Sequence, residues 1–295
     1  MNKIKILIFL LHLFFYSAQA QTNFEFYGII KLNGNDKTVI TYRLVFSENK
    51  GIINGYSITD LDGANETKSI VKGTYNKKTK VFEFKENEIL YTKSKFSESA
   101  FCFVNFSGKV KLVQNTSKLD GNFKGLFKNK SKCIDGTLQL VGSNKIYNLA
   151  SKVNKKIQKS KKIDEASKEK YNTIKMLDSL KINKLSKNQN LNVFWESSTA
   201  KIEIWDNGQE DGDRINLFHN GKLILSDYLV SNTKKVLTIK LSSGDDVFKI
   251  VALNEGKIKP NTAKLEFIDK ERSFELLATL NKEEEASITI IKKEP

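Results

Sequence analysis

The acidic side chains that could do chemistry are concentrated in one short segment. Asp206, Glu210, Asp211 and Asp213 lie in an eight-residue loop after a predicted strand. Carboxylate oxygens are the ligands that Ca²⁺ prefers in proteins. Their spacing does not match an EF-hand, and Asp also occupies tight turns because it hydrogen-bonds to nearby backbone groups. The sequence therefore leaves a calcium site and a structural loop as alternatives, and it predicts no other cofactor.

The sequence contains little evidence for a catalytic site. The chain has two histidines, of which His12 lies in the N-terminal apolar segment described below. His219 is accompanied by no G-x-S-x-G sequence, and one histidine cannot build a histidine-based zinc site. A glycosidase needs only two facing carboxylates, but no pair stands out. The sequence predicts a protein that is not an enzyme, with a carboxylate-based carbohydrate-active enzyme as the third hypothesis after two kinds of binding protein.

Cys102 and Cys133 are the only cysteines, and in an exported chain they predict a disulfide. If the strands that begin near 101 and 133 flank a third strand, their backbones lie almost 10 Å apart, roughly twice the strand spacing. A disulfide requires Cα atoms within about 7 Å. Either the strand order is not a simple meander, or the cysteines lie on strand ends that curl together, or the pair is free.

The N-terminus has the three parts of a secretory signal. Lys3 and Lys5 precede an apolar run over Ile6–Tyr16, and the small residues Ala18 and Ala20 supply a cleavage site. Eleven residues are too few to span roughly 30 Å of hydrocarbon, and no later apolar run approaches 18 residues. We therefore expect residues 1–20 to be removed, no transmembrane anchor, and a periplasmic, cell-surface or secreted location.

The formal net charge is +15, yet the composition argues against nucleic acid as a partner. Arg43, Arg214 and Arg272 are the only arginines, whereas base and phosphate recognition relies heavily on arginine. Residues 151–187 hold 12 lysines and 4 acidic residues, a net charge of +8. This segment reads as a solvated basic helix, with contact to anionic surfaces such as polysaccharide or lipid headgroups as the alternative.

Glycine placement divides the mature chain. Eleven glycines lie between Gly28 and Gly142, and none follows before Gly208. Apolar residues in the gap have helical spacing that is interrupted at 159–162. The sequence predicts an all-β protein with an antiparallel meander or barrel-like domain over 21–142, a basic helical connector over 143–190 and a β-sandwich over 191–295.

The first part alternates apolar and polar residues over about eight predicted strands. An apolar–polar–Gly–polar–apolar pattern occurs four times, centred on Gly73, Gly108, Gly121 and Gly136. A bare backbone there permits a bend or lets a large side chain cross over it. Eight strands suffice for a small ligand-holding barrel, and a curved sheet with a filled core is the alternative. A carrier would bind its apolar ligand with Phe24, Tyr42, Phe84 and Phe123.

The last part contains about nine short predicted strands in 100 residues. Asn220-Gly221 between apolar pairs is a strong signal for a type I′ hairpin. This density of strands predicts a two-sheet sandwich of the immunoglobulin-like or jelly-roll-like kind. Trp195 and Trp205 could stack on sugar rings, although a core position is the simpler interpretation.

Two loops carry a resemblance. The segments DNGQEDGD (206–213) and NEGKIKPNTA (254–263) resemble a small β-sandwich domain of exported bacterial proteins without assigned function. The segments GYSITD (55–60) and ILYTKS (89–94) are similar to the N-terminal part of such proteins. The resemblance implies a cell-envelope or secreted role and no catalytic residues.

These observations predict a non-catalytic exported binding or interaction protein of the bacterial cell envelope or secretome, docking through its sandwich. The alternative is a lipocalin-like carrier of a small apolar ligand. The expected partners are an envelope protein, a glycan or a small apolar ligand.

Overall fold

A computed structural model describes residues 22–34, 38–113, 116–206, 208–270 and 272–292. Strands dominate these residues, which confirms the predicted all-β class. The predicted signal peptide lies outside the described residues. Within the described ranges, no helix combines the length and the hydropathy that crossing a membrane would require.

The first eight strands form a closed antiparallel barrel. They are β1 (Thr22–Leu32), β2 (Val39–Asn49), β3 (Ile52–Thr59), β4 (Thr67–Tyr75), β5 (Val81–Thr92), β6 (Phe103–Lys109), β7 (Lys118–Leu126) and β8 (Gly136–Gly142). Each strand pairs with the next along the chain, and β1 also pairs with β8. Because the first and last strands pair, the meander closes on itself.

Aromatic side chains fill the barrel interior. Phe24, Tyr42, Phe84 and Phe123 are each at most 5% exposed and belong to one apolar cluster. Neighbouring interior rings, such as those of Phe46, Phe82 and Phe84, have centroids 5.1–5.8 Å apart, which is contact distance for aromatic pairs.

The predicted role of the repeated glycines is confirmed at three of the four positions. A Cβ on Gly108 or Gly121 would meet the Phe106 ring at 2.8 or 3.1 Å, and one on Gly136 would meet the Phe123 ring at 2.6 Å. The bare backbone therefore makes room for two large interior rings.

Cys102 and Cys133 form the predicted disulfide, with Cα atoms 6.0 Å apart. Both lie just outside strands, Cys102 before β6 and Cys133 before β8, so strand ends that curl together explain the pairing. The bridge crosses β7 at Gly125, where a Cβ would lie 2.6 Å from the Cys102 Sγ. A side chain at this position would collide with the bridge.

The connector consists of three helices, α1 (Ser143–Lys159), α2 (Glu165–Lys170) and α3 (Thr173–Ser179). Helix α1 ends where the predicted stripe breaks. It contacts β1 and β8 of the barrel and packs on α3, and the Tyr147 hydroxyl of α1 donates to Asp178 at 2.7 Å. The connector therefore packs against the barrel through α1, and α3 packs on α1.

Ten further strands form the sandwich. They are β9 (Lys184–Ser186), β10 (Asn190–Trp195), β11 (Thr199–Trp205), β12 (Arg214–His219), β13 (Lys222–Leu229), β14 (Lys235–Lys240), β15 (Asp246–Ala252), β16 (Asn261–Asp269), β17 (Arg272–Leu280) and β18 (Glu285–Lys292). One sheet has the order β13-β12-β15-β18-β10 and the other β14-β11-β16-β17-β9. Residues from both sheets share one apolar cluster.

Two features of the sandwich refine the sequence prediction. Asn220 and Gly221 have φ values of 49° and 79°, as the predicted type I′ hairpin requires. The predicted connector over 143–190 includes β9, whose Leu185 is fully buried in the sandwich core. Both sheets are mixed, because β10 runs parallel to β18 and β9 parallel to β17.

The barrel and the sandwich are joined through β5. The end of this barrel strand pairs with β10, so one continuous sheet runs from the barrel into the sandwich. Tyr91 of β5 packs in the sandwich core. Arg272 Nη1 of β17 donates to Glu88 of β5 at 2.6 Å. The two parts therefore share a strand, a core residue and an ion pair.

Candidate functional site

A cleft of about 270 Å³ lies where the barrel, the connector and the sandwich meet. Arg43, Tyr56 and Lys68 line it from the barrel, residues 180–183 from the connector, and residues 273–275 from β17. Clefts between packed units are common places for small-molecule sites. This cleft is the candidate site because its walls include a lysine without a close anion and an asparagine whose carboxamide has no hydrogen-bond partner among the described residues.

The barrel wall of the cleft is a cross-strand row of cations and aromatic rings. Arg43 on β2 lies over the rings of Tyr27 and Tyr56, at 5.5 and 5.9 Å from their centroids. Lys68 Nζ on β4 lies 4.0 Å from the Tyr56 centroid. These side chains point outward from the barrel, where the connector and sandwich cover them. Arg43 is consequently only 5% exposed.

Lys68 and Arg43 differ in their partners. Arg43 Nε and Nη2 both donate to Glu25 Oε1, at 3.0 and 2.7 Å. Lys68 Nζ makes no hydrogen bond or ion pair with any residue in the described ranges. Burial, together with the charge of Arg43, lowers the pKa of the Lys68 ammonium to about 8, against the opposing effect of Glu66 and Glu275. The cleft thus contains a desolvated cation that lacks a close anion.

The carboxylates of the cleft already have cationic partners. Glu275 pairs with Lys264 at 2.7 Å, and Glu266 pairs with Lys234 at 3.4 Å. Glu66 lies 3.8 Å from Lys93 and accepts from the Tyr91 hydroxyl at 3.1 Å. None of these partner lysines lines the cleft. Lysines outside the cleft therefore neutralise the three carboxylates that line it.

Asn183 forms part of the connector wall. Its backbone carbonyl accepts from Leu277 N at 2.8 Å, which fixes the segment against β17. Its carboxamide is different, because neither Oδ1 nor Nδ2 has a hydrogen-bond partner among the described residues, although both atoms are buried. An unpaired buried polar group costs about 1–3 kcal/mol. A ligand that reached this carboxamide would remove that cost.

The predicted calcium loop is held mainly by bonds to backbone N–H groups. Asp206 Oδ1 accepts from Gly208 N at 2.7 Å, Asp211 Oδ2 from Ile258 N at 2.9 Å, and Asp213 Oδ2 from Thr262 N at 2.7 Å. Glu210 Oε1 accepts from Asn232 N at 2.6 Å. The loop is therefore tied to the segment around 258–262, the second half of the sequence resemblance.

These aspartates nevertheless lie close together. Burial, with contributions from Asp211 and Asp206, raises the pKa of Asp213 to about 6, although the bond from Thr262 N opposes the shift. One oxygen each of Asp211 and Asp213 is buried without a partner among the described residues. No group of three or more His, Cys, Asp or Glu side chains in the described part of the chain is arranged to hold a metal ion. A calcium site and a structural loop therefore stay as the two alternatives.

His219 is half-buried beside the Asn220-Gly221 turn, where a hairpin residue of this kind is expected to be exposed. Its Nε2 lies 2.7 Å from Asp246 Oδ1, and its ring stacks on Phe248 at 4.7 Å. Ser242 Oγ donates to the same carboxylate at 3.1 Å. Because the carboxylate, not the imidazole, contacts the hydroxyl, this trio lacks the serine-to-histidine bond of a catalytic triad.

Both tryptophans are core residues. Trp195 is 1% exposed, and its Nε1 donates to Thr199 O at 3.0 Å. Trp205 is 7% exposed, and the ammonium groups of Lys234 and Lys264 lie 4.3 and 5.1 Å from its ring centroid. Neither ring offers an open face to a sugar.

Glu86 is a buried acid whose carboxylate is enclosed by barrel residues. Glu86 Oε1 accepts from the hydroxyls of Tyr42 and Ser57 at 2.6 and 2.5 Å, and Oε2 accepts from Val104 N at 2.7 Å. Burial raises the pKa of Glu86 above its usual 4.5, although these three hydrogen bonds oppose the shift. Tyr42 therefore contributes to a closed internal network, whereas Phe24, Phe84 and Phe123 pack in the apolar cluster.

Comparison with known proteins gives no relative: no family model, no curated protein and no solved structure matches the chain. The resemblance to exported proteins thus depends on the four quoted segments alone.

Sequence reasoning missed the cleft. Lys68 occupies an ordinary outward position of a strand, and Asn183 lies in what was predicted to be connector. The sequence offered no clear signal, because the alternation of apolar and polar residues that starts at Leu180 breaks at Asn183-Lys184.

Proposed function

We propose that this protein is an exported, non-catalytic binding protein of the bacterial cell envelope or secretome, and that its binding site is the cleft between barrel, connector and sandwich. The observation that carries the proposal is Lys68, a desolvated cation without a close anion, in a cleft whose wall includes Asn183, a residue with a buried carboxamide that has no hydrogen-bond partner among the described residues. Such groups are costly unless a ligand satisfies them. The disulfide agrees with export to an oxidising compartment.

The sandwich, which the sequence suggested as the docking part, supplies one wall of this site. The carrier hypothesis would instead place an apolar ligand inside the barrel. Interior rings at contact distance and the closed Glu86 network would have to separate for that ligand to enter. The cleft requires no such rearrangement.

The test is native mass spectrometry of the mature protein, purified from its own envelope without refolding. We expect an added mass of a few hundred daltons that is lost on denaturation and is absent from a Lys68→Met variant. Lys72 is an exposed residue on the same strand and outside the cleft, so Lys72→Met serves as the matched control and should keep the added mass. A bare wild-type protein, or an adduct that persists in Lys68→Met, would contradict the proposal.

A further inference from the structure

We propose that the cleft binds a small polyhydroxy carboxylate, a sugar acid, with its carboxylate against the Lys68 ammonium and a neighbouring hydroxyl against the Asn183 carboxamide. This inference rests on the proposed function, because it names the ligand class of the same site.

The ion-pair partners of the charged side chains that line the cleft indicate that the ligand is an anion. Arg43 is paired with Glu25, and Lys181 lies 3.5 Å from Asp178. The three carboxylates of the cleft are compensated by lysines outside it. Lys68 is thus the wall cation with no carboxylate within 4.0 Å in the described ranges. A carboxylate on this ammonium would make a charge-assisted hydrogen bond in a partly desolvated place, where such bonds are strong.

The unpaired carboxamide of Asn183 is the reason to expect hydroxyl groups on the ligand. A carboxamide offers two N–H donors and one carbonyl acceptor, and a hydroxyl can satisfy either kind of group because it both donates and accepts. Ser273 and Tyr56 are further hydroxyl-bearing residues in the same walls. A ligand with several hydroxyls around a carboxylate matches this mixture better than a purely apolar acid does.

The volume sets the size of the ligand. The cleft of about 270 Å³ has room for about nine waters at roughly 30 Å³ each, which is close to one sugar ring. A second cavity of about 110 Å³ shares Lys181, Ile182, Asn183 and Glu275 with the cleft. A substituent of the ring could extend into this second cavity.

The affinity should depend on pH because the proposed contact requires charged Lys68. The charged and titratable groups that line the cleft with Lys68 are Arg43 on β2, Tyr56 on β3, Glu66 on its own segment, its cross-strand partner Tyr91 on β5, Lys181 on the connector, and Glu266 and Glu275 on the sandwich. With the Lys68 pKa at about 8, the charged fraction of the free protein falls about tenfold between pH 7 and pH 9.

The experiment is isothermal titration calorimetry of the full mature protein with D-glucuronate at pH 7, 8 and 9. D-Glucose, D-glucosamine and N-acetylalanine are the neutral sugar, the cationic sugar and the amide-bearing acid for comparison. We expect one glucuronate per chain, about tenfold weaker binding at pH 9 than at pH 7, and at least about tenfold weaker binding in Lys68→Met at pH 7. Asn183→Leu should also weaken binding, and Lys72→Met should not.

Three results would overturn the inference: glucosamine or glucose binding as tightly as glucuronate, N-acetylalanine binding more tightly, or glucuronate affinity that Lys68→Met and pH leave unchanged. If glucuronate fails to bind while the native protein carries a Lys68-dependent mass, the ligand class is wrong and the proposed function stands. If neither is found, both are wrong. Circular dichroism of each variant separates loss of binding from loss of folding.

Discussion

Replacing Glu86 by glutamine should remove a pH dependence of stability that exists only if the barrel interior is closed and dry. The glutamine carbonyl can accept from Val104 N, and its amide can donate to the hydroxyls of Tyr42 and Ser57 after these rotate. The variant therefore keeps the network and loses the titration. At pH 4, where the acid is protonated, we expect its free energy of unfolding to lie within about 1 kcal/mol of the wild type.

The size of the effect follows from proton linkage. Burial raises the pKa of Glu86 in the folded state above its usual 4.5, so the folded chain keeps a proton that the unfolded chain loses as pH rises. Below the unfolded pKa the group contributes no difference. Between the unfolded and the folded pKa, the stability of the wild type relative to Glu86→Gln falls by up to about 1.4 kcal/mol per pH unit, and above the folded pKa the difference is constant.

The assay is urea unfolding from pH 4 to pH 9, with Glu83→Gln, an exposed acid on the same strand, as the matched control. Glu86→Leu should cost at least about 3 kcal/mol, because it leaves three polar groups without an acceptor. Parallel stability curves for wild type and Glu86→Gln would refute the reasoning. They would mean that the carboxylate is solvated, and they would favour the carrier hypothesis.

Three further predictions concern the rest of the molecule. Arg272→Met removes the ion pair to Glu88 at the barrel–sandwich junction and the pairs to Glu196 and Asp269 within the sandwich. It should lower the free energy of unfolding by about 2 kcal/mol, more than Arg214→Met at the exposed pair with Asp227; equal losses in urea unfolding would contradict a stabilising role for the Arg272 pairs. Calcium should leave the melting temperature unchanged, since the loop aspartates are engaged by backbone N–H groups, and a rise that Asp211→Asn abolishes would establish a calcium site. The exposed lysines of the connector should give weak binding to vesicles rich in phosphatidylglycerol that disappears at high salt; co-sedimentation that salt does not affect would exclude a purely electrostatic contact.

Local chemistry explains what the sequence could predict. Strand positions follow from alternation, the hairpin at Asn220-Gly221 from the φ values that these residues adopt readily, and the ring crossings at Gly121 and Gly136 from missing Cβ atoms. The disulfide was predictable because the chain has two cysteines and the N-terminus predicts export to an oxidising compartment. Its geometry was left open because strand-end curling and the passage over Gly125 depend on three-dimensional packing.

Long-range contacts explain what could not be predicted. Tyr91 continues an ordinary barrel strand, and only the pairing of β5 with β10 places it in the sandwich core. Leu185 lies in a three-residue strand, too short for a periodicity signal, and that strand forms only by parallel pairing with β17. Lys68 resembles any surface lysine until segments distant in sequence cover it. The candidate site is a property of how the parts dock.

Hydrogen exchange, measured by mass spectrometry on residues 21–295 with and without a low-molecular-mass extract of the source cells, tests the binding-cleft claim most directly. The account predicts slower exchange in the peptides that cover 67–75 and 180–186, in the wild type and in Lys72→Met but not in Lys68→Met. Slower exchange confined to the barrel rim or to the loop at 206–213, with the cleft peptides unchanged, would contradict it.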